Sequence, residues 1–234
     1  MPNQGLLWVN SRITSTSLTK SSFEGWYNEE HVPDVLSTKV ISSACRYNNI
    51  NPADSHPYLA LYPFEDISFF ETKGFSEIPV RSKKYFPGGE TCFDLAEFDT
   101  RIYEWIHGYE KPGAKSGPAK MIISAGLTPA KGTDADFDAW YKEEHYGTLA
   151  ECPGYIRTRR YKLKTALSAS SLETPRSPQL YLALHEFDVE SLPTAELDKT
   201  PQTDWAKRVM GSLEGAEVMV FKLSREFGDV KAKF

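Results

Sequence analysis

The chain predicts an α+β fold in which one β-α-β-β-α-β unit is written twice. Three observations carry that expectation. Phe23-Glu24-Gly25-Trp26-Tyr27-Asn28-Glu29-Glu30-His31 returns as Phe137-Asp138-Ala139-Trp140-Tyr141-Lys142-Glu143-Glu144-His145, at a constant offset of 114 residues. Arg46-Tyr47 and Arg160-Tyr161 share that offset. Tyr58-Leu59-Ala60-Leu61 then recurs as Tyr181-Leu182-Ala183-Leu184, after a slightly longer connection. A repeat of this length in 234 residues implies two similar halves, each large enough to bury a core.

Each half opens with a short apolar run, Gly5 to Val9 and Met121 to Ala125, of the length of a buried strand. A polar loop follows, then the helix that carries the repeated motif. Ser21 or Ser22 can cap it in the first half; Thr133, Asp134 and Asp136 can in the second, where the acidic first turn also complements the helix dipole. Phe23, Trp26, Tyr27 and His31 fall at i, i+3, i+4 and i+8, one broad helical face. The second strand spans Ile41 to Tyr47 and Tyr155 to Leu163, and the third is the Tyr-Leu-Ala-Leu repeat. A shorter helix follows, clearest over Thr200 to Met210 around Trp205. The last strand is expected over Thr91 to Phe98 in one half and Glu217 to Leu223 in the other.

This order is the split-βαβ, ferredoxin-like arrangement. Its sheet has helices on one face, so the other face must be covered. Two copies can cover each other and form an eight-stranded barrel-like body, an intramolecular pseudo-dimer. Residues 1–110 make the first unit and 119–234 the second, joined by 111–118 in a stretch rich in Gly, Pro and Lys.

Composition bounds the function. The chain is 40% hydrophobic and 25% charged, as soluble globular proteins are. A net charge of −5 without a Lys/Arg cluster argues against nucleic acid and anionic membrane as partners. Three cysteines, Cys45, Cys92 and Cys152, form no CxxC and suit a reducing compartment. The run from Gly5 to Val9 is short for a secretory signal, and no apolar run approaches the roughly 18 residues of a membrane span. A cytoplasmic location is expected.

The motif Phe-x-x-Trp-Tyr-x-x-x-His after the first strand of such a unit resembles the dimeric α/β-barrel superfamily, in particular its EthD-like branch. His31-Val32-Pro33 and Cys152-Pro153-Gly154-Tyr155 add to the likeness. The second half departs at Tyr146-Gly147, and the first lacks Pro-Gly before its second strand. The resemblance spans both halves and implies a single-chain version of the usual homodimer. It implies no single activity, since the superfamily holds cyclases, decarboxylases, cofactor-free oxygenases and haem enzymes. Fungal polyketide tailoring enzymes have EthD-like members, so it also points to secondary metabolism.

The candidate chemistry follows from the repeated residues. His31 and His145 can exchange protons near neutral pH, shielded by a barrel mouth; the architectural alternative is a helix cap or a bond to a neighbouring carbonyl. Tyr27 and Tyr141, one turn earlier, can polarise a carbonyl or serve as core residues. Trp26 and Trp140 read as packing anchors that also border a substrate. Arg46 and Arg160 would hold a carboxylate if they face a cavity. His185 and Tyr62 occupy equivalent places after the third strand, which makes the two cavities unequal. Adjacent Glu30-His31 and Glu144-His145 diverge by about 100° on a helix, and no HxxxH, HxxE or HExxH occurs around them, so no metal site is expected. No P-loop, GxGxxG or serine elbow is present. The expected activity is a cofactor-independent lyase or isomerase step, cyclisation or decarboxylation, on a small aromatic or polyketide-like substrate. The alternatives are a cofactor-free monooxygenase and a non-catalytic ligand-binding or stress-type barrel. The fused chain is expected as a monomeric pseudo-dimer that can pair further.

Overall fold

A computed structural model describes residues 3–168 and 176–229. Eight strands carry the fold: β1 (Gly5–Ile13), β2 (Ser43–Asn49), β3 (Tyr58–Phe64), β4 (Ala96–Glu110), β5 (Met121–Thr128), β6 (Tyr155–Ser168), β7 (Tyr181–Phe187) and β8 (Gly215–Gly228). The long helices are α1 (20–37) and α4 (134–150). Between them lie α2 (Lys73–Ser76) and α3 (Cys92–Leu95), and α5 (Thr194–Leu197) and α6 (Asp204–Gly211) follow. The strands close in the order β1-β3-β2-β8-β5-β7-β6-β4, antiparallel throughout.

Each half thus supplies four neighbouring strands in the same internal order, 4-1-3-2 and 8-5-7-6. The halves meet at two hydrogen-bonded seams, β2 with β8 and β4 with β6. Closure leaves no unpaired edge, which removes the exposed backbone that an open four-stranded sheet would present. Side chains alternate across this wall. Leu6 and Trp8 of β1 join Tyr47, Leu61, Tyr103, Tyr161, Leu182 and Phe221 inside the barrel. Leu7 and Val9 point the other way, into the cluster beneath α1.

The barrel interior also holds charge. Arg101 is buried, bonds Asp99 at 2.9 Å and Glu217 at 2.7 Å, and lies 4.5 Å from the Trp8 ring. Arg157 bonds Glu186 at 2.8 Å. Arg101–Glu217 and Arg157–Glu186 bridge strands, and each of these two buried cations keeps a carboxylate partner, as burial of a charge requires. The three cysteines are free and buried.

Two expected boundaries shift. Residues 91–98 were expected as a strand; Cys92–Leu95 is instead a helical turn, closed by a capping box between Thr91 and Asp94, and β4 starts at Ala96. β4 runs on to Glu110, where Tyr109 pairs with Thr158 and stacks on Tyr146, ring centroids 5.7 Å apart. The first helix is capped by Thr19, whose hydroxyl accepts from the Ser22 amide at 3.1 Å, rather than by either serine. The Pro-Gly turn before β6 works as its sequence suggests: Gly154 has φ +73°, and a Cβ there would meet Val189 at 2.1 Å. The first half turns at Lys39 instead, with φ 61°.

Candidate functional site

Both long helices widen by one residue at the same place. Residues Tyr27–His31 and Tyr141–His145 form π-turns, in which the Val32 amide reaches the Tyr27 carbonyl and the Tyr146 amide that of Tyr141. Such insertions are rare and concentrate at functional sites. The geometric result is specific. In an α-helix residues five apart point about 140° from one another. Here His31 lies over Trp26, ring centroids 4.6 Å apart and 24° from parallel, and His145 over Trp140 at 4.3 Å and 21°. Each imidazole also meets its tyrosine edge-on, at 5.3 Å from Tyr27 and 5.1 Å from Tyr141.

A pocket opens beside each of these clusters, between the long helix and the outer face of the barrel wall rather than in the barrel mouth. The first, about 360 Å³, is lined by Trp26, Tyr27, His31 and Tyr62, with Phe75, Phe93, Phe98 and Leu167 around them. The second, about 420 Å³, is lined by Trp140, Tyr141, His145 and His185, with Leu127, Leu197, Pro201 and Met210. Among the described residues no Asp, Glu, Lys or Arg lines the first, and the second has only Asp198, an exposed residue.

The histidines and tyrosines on these walls are held uncharged. Burial lowers the His31 pKa to about 4, with Arg46 adding and the bond to Pro79 opposing. His185 falls to about 3 through burial and then Arg160. Burial sets His145 well below 6.5, and His185 and Arg160 add to the effect. The Tyr141 phenol is pushed up to about 12 by burial, and those of Tyr27 and Tyr62 rise too. At neutral pH these are neutral imidazoles and protonated phenols.

Their hydrogen bonds differ between the halves. His31 Nδ1 lies 3.3 Å from the Pro79 carbonyl, which only accepts, so this nitrogen carries the proton and Nε2 is the basic one. Among the described residues His145 Nδ1 is buried with no partner. His185 Nδ1 lies 2.8 Å from Thr158 Oγ1, and Thr158 Oγ1 accepts from the Tyr155 hydroxyl at 2.8 Å. The Tyr62 hydroxyl, at the position matching His185, is likewise buried without a partner among the described residues.

Eight of the ten expected site residues therefore gather in two equivalent sets. Arg46 and Arg160 do not line either pocket. Arg46 donates to Asn28 Oδ1 at 2.7 Å and sits 4.5 Å from the Tyr27 ring. Arg160 donates to Asp138 Oδ1 at 2.6 Å and lies 4.0 Å from the Tyr141 ring. Each guanidinium backs the tyrosine of its cluster. The glutamates also serve structure: Glu144 accepts from Trp140 Nε1 at 3.0 Å and from Thr203 at 2.6 Å, which ties α4 to the start of α6. Glu29 accepts from Lys84 and Tyr85. Among the described residues no group of three or more His, Cys, Asp or Glu could hold a metal ion, and no helix is long and apolar enough to cross a membrane. Sequence reasoning missed Pro79, Thr158 and Tyr155. The last two had a signal, because the first half has Ala44 and Ile41 at the matching positions.

Comparison with known proteins agrees with this architecture. No family model matches the chain. It is 26% identical over 192 residues to core atranone cluster (CAC) protein 1 of Stachybotrys chlorohalonatus, covering 79% of this chain and 82% of that protein. Among solved structures, an anthrone oxidase-like protein superposes with a TM-score of 0.59 at 14% identity, covering 100% and 96% of the two chains. A provisionally named monooxygenase from Fusobacterium nucleatum gives 0.61 at 8% identity, covering 100% and 98%. A mutant chlorite dismutase from Candidatus Nitrospira defluvii gives 0.54 at 8%, covering 96% and 92%. The likeness to the solved structures is one of fold, an α+β barrel of eight antiparallel strands.

Proposed function

We propose that the chain is an enzyme of secondary metabolism that moves a proton on a small, uncharged aromatic or polyketide-like molecule in its second pocket, without a cofactor. The observation that carries this reading is His145. It is a neutral imidazole, nine-tenths buried, whose Nδ1 has no partner among the described residues and which borders a pocket with an almost uncharged wall. A buried polar atom without a partner is costly unless something else satisfies it. A ligand hydroxyl or an acidic C–H flanked by a carbonyl would give such a base its proton.

His145 then acts as the base, and Tyr141, whose phenol keeps its proton, polarises the substrate carbonyl. Trp140 offers a flat apolar wall. The position of Arg160 bears on the reaction type: a substrate carboxylate would find no guanidinium on the wall, so ring closure or isomerisation of a neutral substrate fits better than decarboxylation. His31, with Tyr27, Tyr62 and Trp26, lines the first pocket, of the same type, in the first half.

A second reading shares the deprotonation: the carbanion is oxidised by molecular oxygen and, with a proton, gives a hydroperoxide, which breaks its O–O bond and loses water to leave a carbonyl, a cofactor-free monooxygenation. It is supported by the names of two solved structures of this fold, the anthrone oxidase-like protein and the Fusobacterium monooxygenase. The relative named for the atranone cluster supports a biosynthetic role under either reading. The doubled motif supports an origin by duplication of one EthD-like unit, with units at 1–110 and 119–234 and a join at 111–118.

The test is turnover of a hydroxyanthrone and of a linear poly-β-ketone by the purified protein, in air and under nitrogen, followed by product mass. Products of unchanged or water-depleted mass under nitrogen support isomerisation or cyclisation. A product that gains one oxygen and loses two hydrogens, in air alone, supports oxygenation. Tight binding with no turnover of either would leave a ligand carrier and sink the enzymatic reading.

A further inference from the structure

His185 and Tyr62 sit at the same place in the two halves, yet what stands behind them differs. Thr158 lies directly opposite His185 in the β6–β7 ladder. The first half pairs Cys45 with Leu61 in the same register, so one step further Ala44 faces Tyr62. Tyr155, which bonds Thr158, is matched by Ile41. A histidine, a threonine and a tyrosine in one half thus stand against a tyrosine, an alanine and an isoleucine in the other. The three polar groups occur together or not at all.

The direction of the bonds fixes the imidazole. Tyr155 donates to Thr158 Oγ1. The threonine proton then needs an acceptor, and among the described residues His185 Nδ1 at 2.8 Å is the one that pairs with this oxygen. An Nδ1 that accepts leaves the ring proton on Nε2. His145 stands edge-on to His185, ring centroids 5.6 Å apart, on the same pocket.

We infer that Thr158 and Tyr155 are positioning residues that lock His185 as a neutral hydrogen-bond donor, so that its Nε2–H meets the oxygen on which negative charge develops while His145 takes the proton. This deepens the proton-transfer reading and rests on it. The two histidines divide the work: the C–H or O–H electron pair moves onto the substrate oxygen, the proton goes to His145, and His185 donates without being ionised. Burial, which keeps the His185 pKa near 3, suits a donor of this kind, because a neutral imidazole gives its hydrogen bond without titrating at working pH. The chemical class that fits is a phenol or an enolisable ketone.

The experiment has two parts. Nitrogen-15 NMR of histidine-labelled protein reads the tautomer of His185 at neutral pH. Binding of 4-nitrophenolate, a stable oxyanion, is then measured in a Tyr62→Phe background, which removes the first pocket's counterpart of His185. The expected wild-type state is the Nε2–H tautomer. Thr158→Val should give mixed tautomers and weaken the phenolate about tenfold, and Thr158→Ser should restore both. Tyr155→Phe should weaken it two- to threefold and serves if Thr158→Val does not fold. An Nδ1–H tautomer in the wild type, or a tautomer indifferent to Thr158→Val, overturns the relay. A tautomer that changes while phenolate affinity does not overturns the donor role. The NMR result stands apart from the parent reading, which fails on its own if His145→Ala leaves turnover intact.

Discussion

The two pockets share a frame and differ in chemistry. Trp, Tyr and His take the same positions in the same π-turn, and each tyrosine is backed by an arginine from the neighbouring strand. Around that frame the halves diverge. In the first, His31 is tied to Pro79 and its neighbour across the pocket is a tyrosine. In the second, His145 is unpartnered and its neighbour is a histidine backed by Thr158 and Tyr155. The cover differs too: segments around Phe75 to Val80 border the first pocket, and residues around Leu197 to Gln202 border the second. What repeats is what holds the aromatic cluster against the barrel; what varies is which nitrogen or oxygen faces a ligand.

The largest effect that would break this comparison is on turnover. His145→Ala should lower kcat/KM for the pocket's substrate by about 10²- to 10⁴-fold, the range of a lost general base. His31→Ala should leave it within a few-fold. Steady-state rates of the two variants decide this, and the reverse ranking would move the chemistry to the first half.

The shared frame predicts equality instead. Trp26→Ala and Trp140→Ala remove equally buried indoles and should each cost about 3–5 kcal/mol in denaturant unfolding. A difference of more than about 2 kcal/mol would mean that the frames are not equivalent, given the usual spread at fixed chemistry.

Acid should weaken the fold through the same buried imidazoles. His31 and His185 bind protons less readily folded (pKa about 4 and about 3) than unfolded, near 6.5. The unfolded state therefore takes up more protons between those values, so stability is whole above about 6.5 and falls as pH drops toward 4. Each histidine contributes a slope of at most about 1.4 kcal/mol per pH unit. Urea unfolding at pH 7 and pH 5 measures the sum, and His185→Gln should flatten it.

The smallest effects lie where the halves enter their second strands. Gly154→Ala forces a side chain to φ +73° and onto Val189, and should cost more than about 1 kcal/mol. Lys39→Gly relieves a left-handed lysine at φ 61° and should gain a few tenths to about 1 kcal/mol. Thermal melts of the pair check opposite signs at matching turns.

Much of the fold was legible because the repeat doubles every local signal. Apolar runs, the aromatic helix face and the Tyr-Leu-Ala-Leu strand each occur twice. The misplaced strand at 91–98 shows the limit, since Thr91 to Leu95 has the capping residues of a helical turn before the alternation begins at Ala96. The π-turns could not be read either. Phe23, Trp26, Tyr27 and His31 fit an ordinary helix face, and the extra residue emerges only when His31 must stack on Trp26. Arg46 and Arg160 were legible as a repeated pair, but which way they faced was not, because neighbouring strand residues point to opposite sides.

The repeated motif and its spacing were legible in the chain, as were the aromatic-histidine helix in each half and the mismatch of His185 with Tyr62. These are properties of spacing and residue type, which act locally along the chain. Only the tertiary structure decided that the sheets close through β2–β8 and β4–β6, that the pockets lie outside the barrel wall, and that Thr158 stands behind His185. It also decided that the imidazoles are neutral. Desolvation depends on what packs around a group from distant parts of the chain, and no spacing within one segment encodes it.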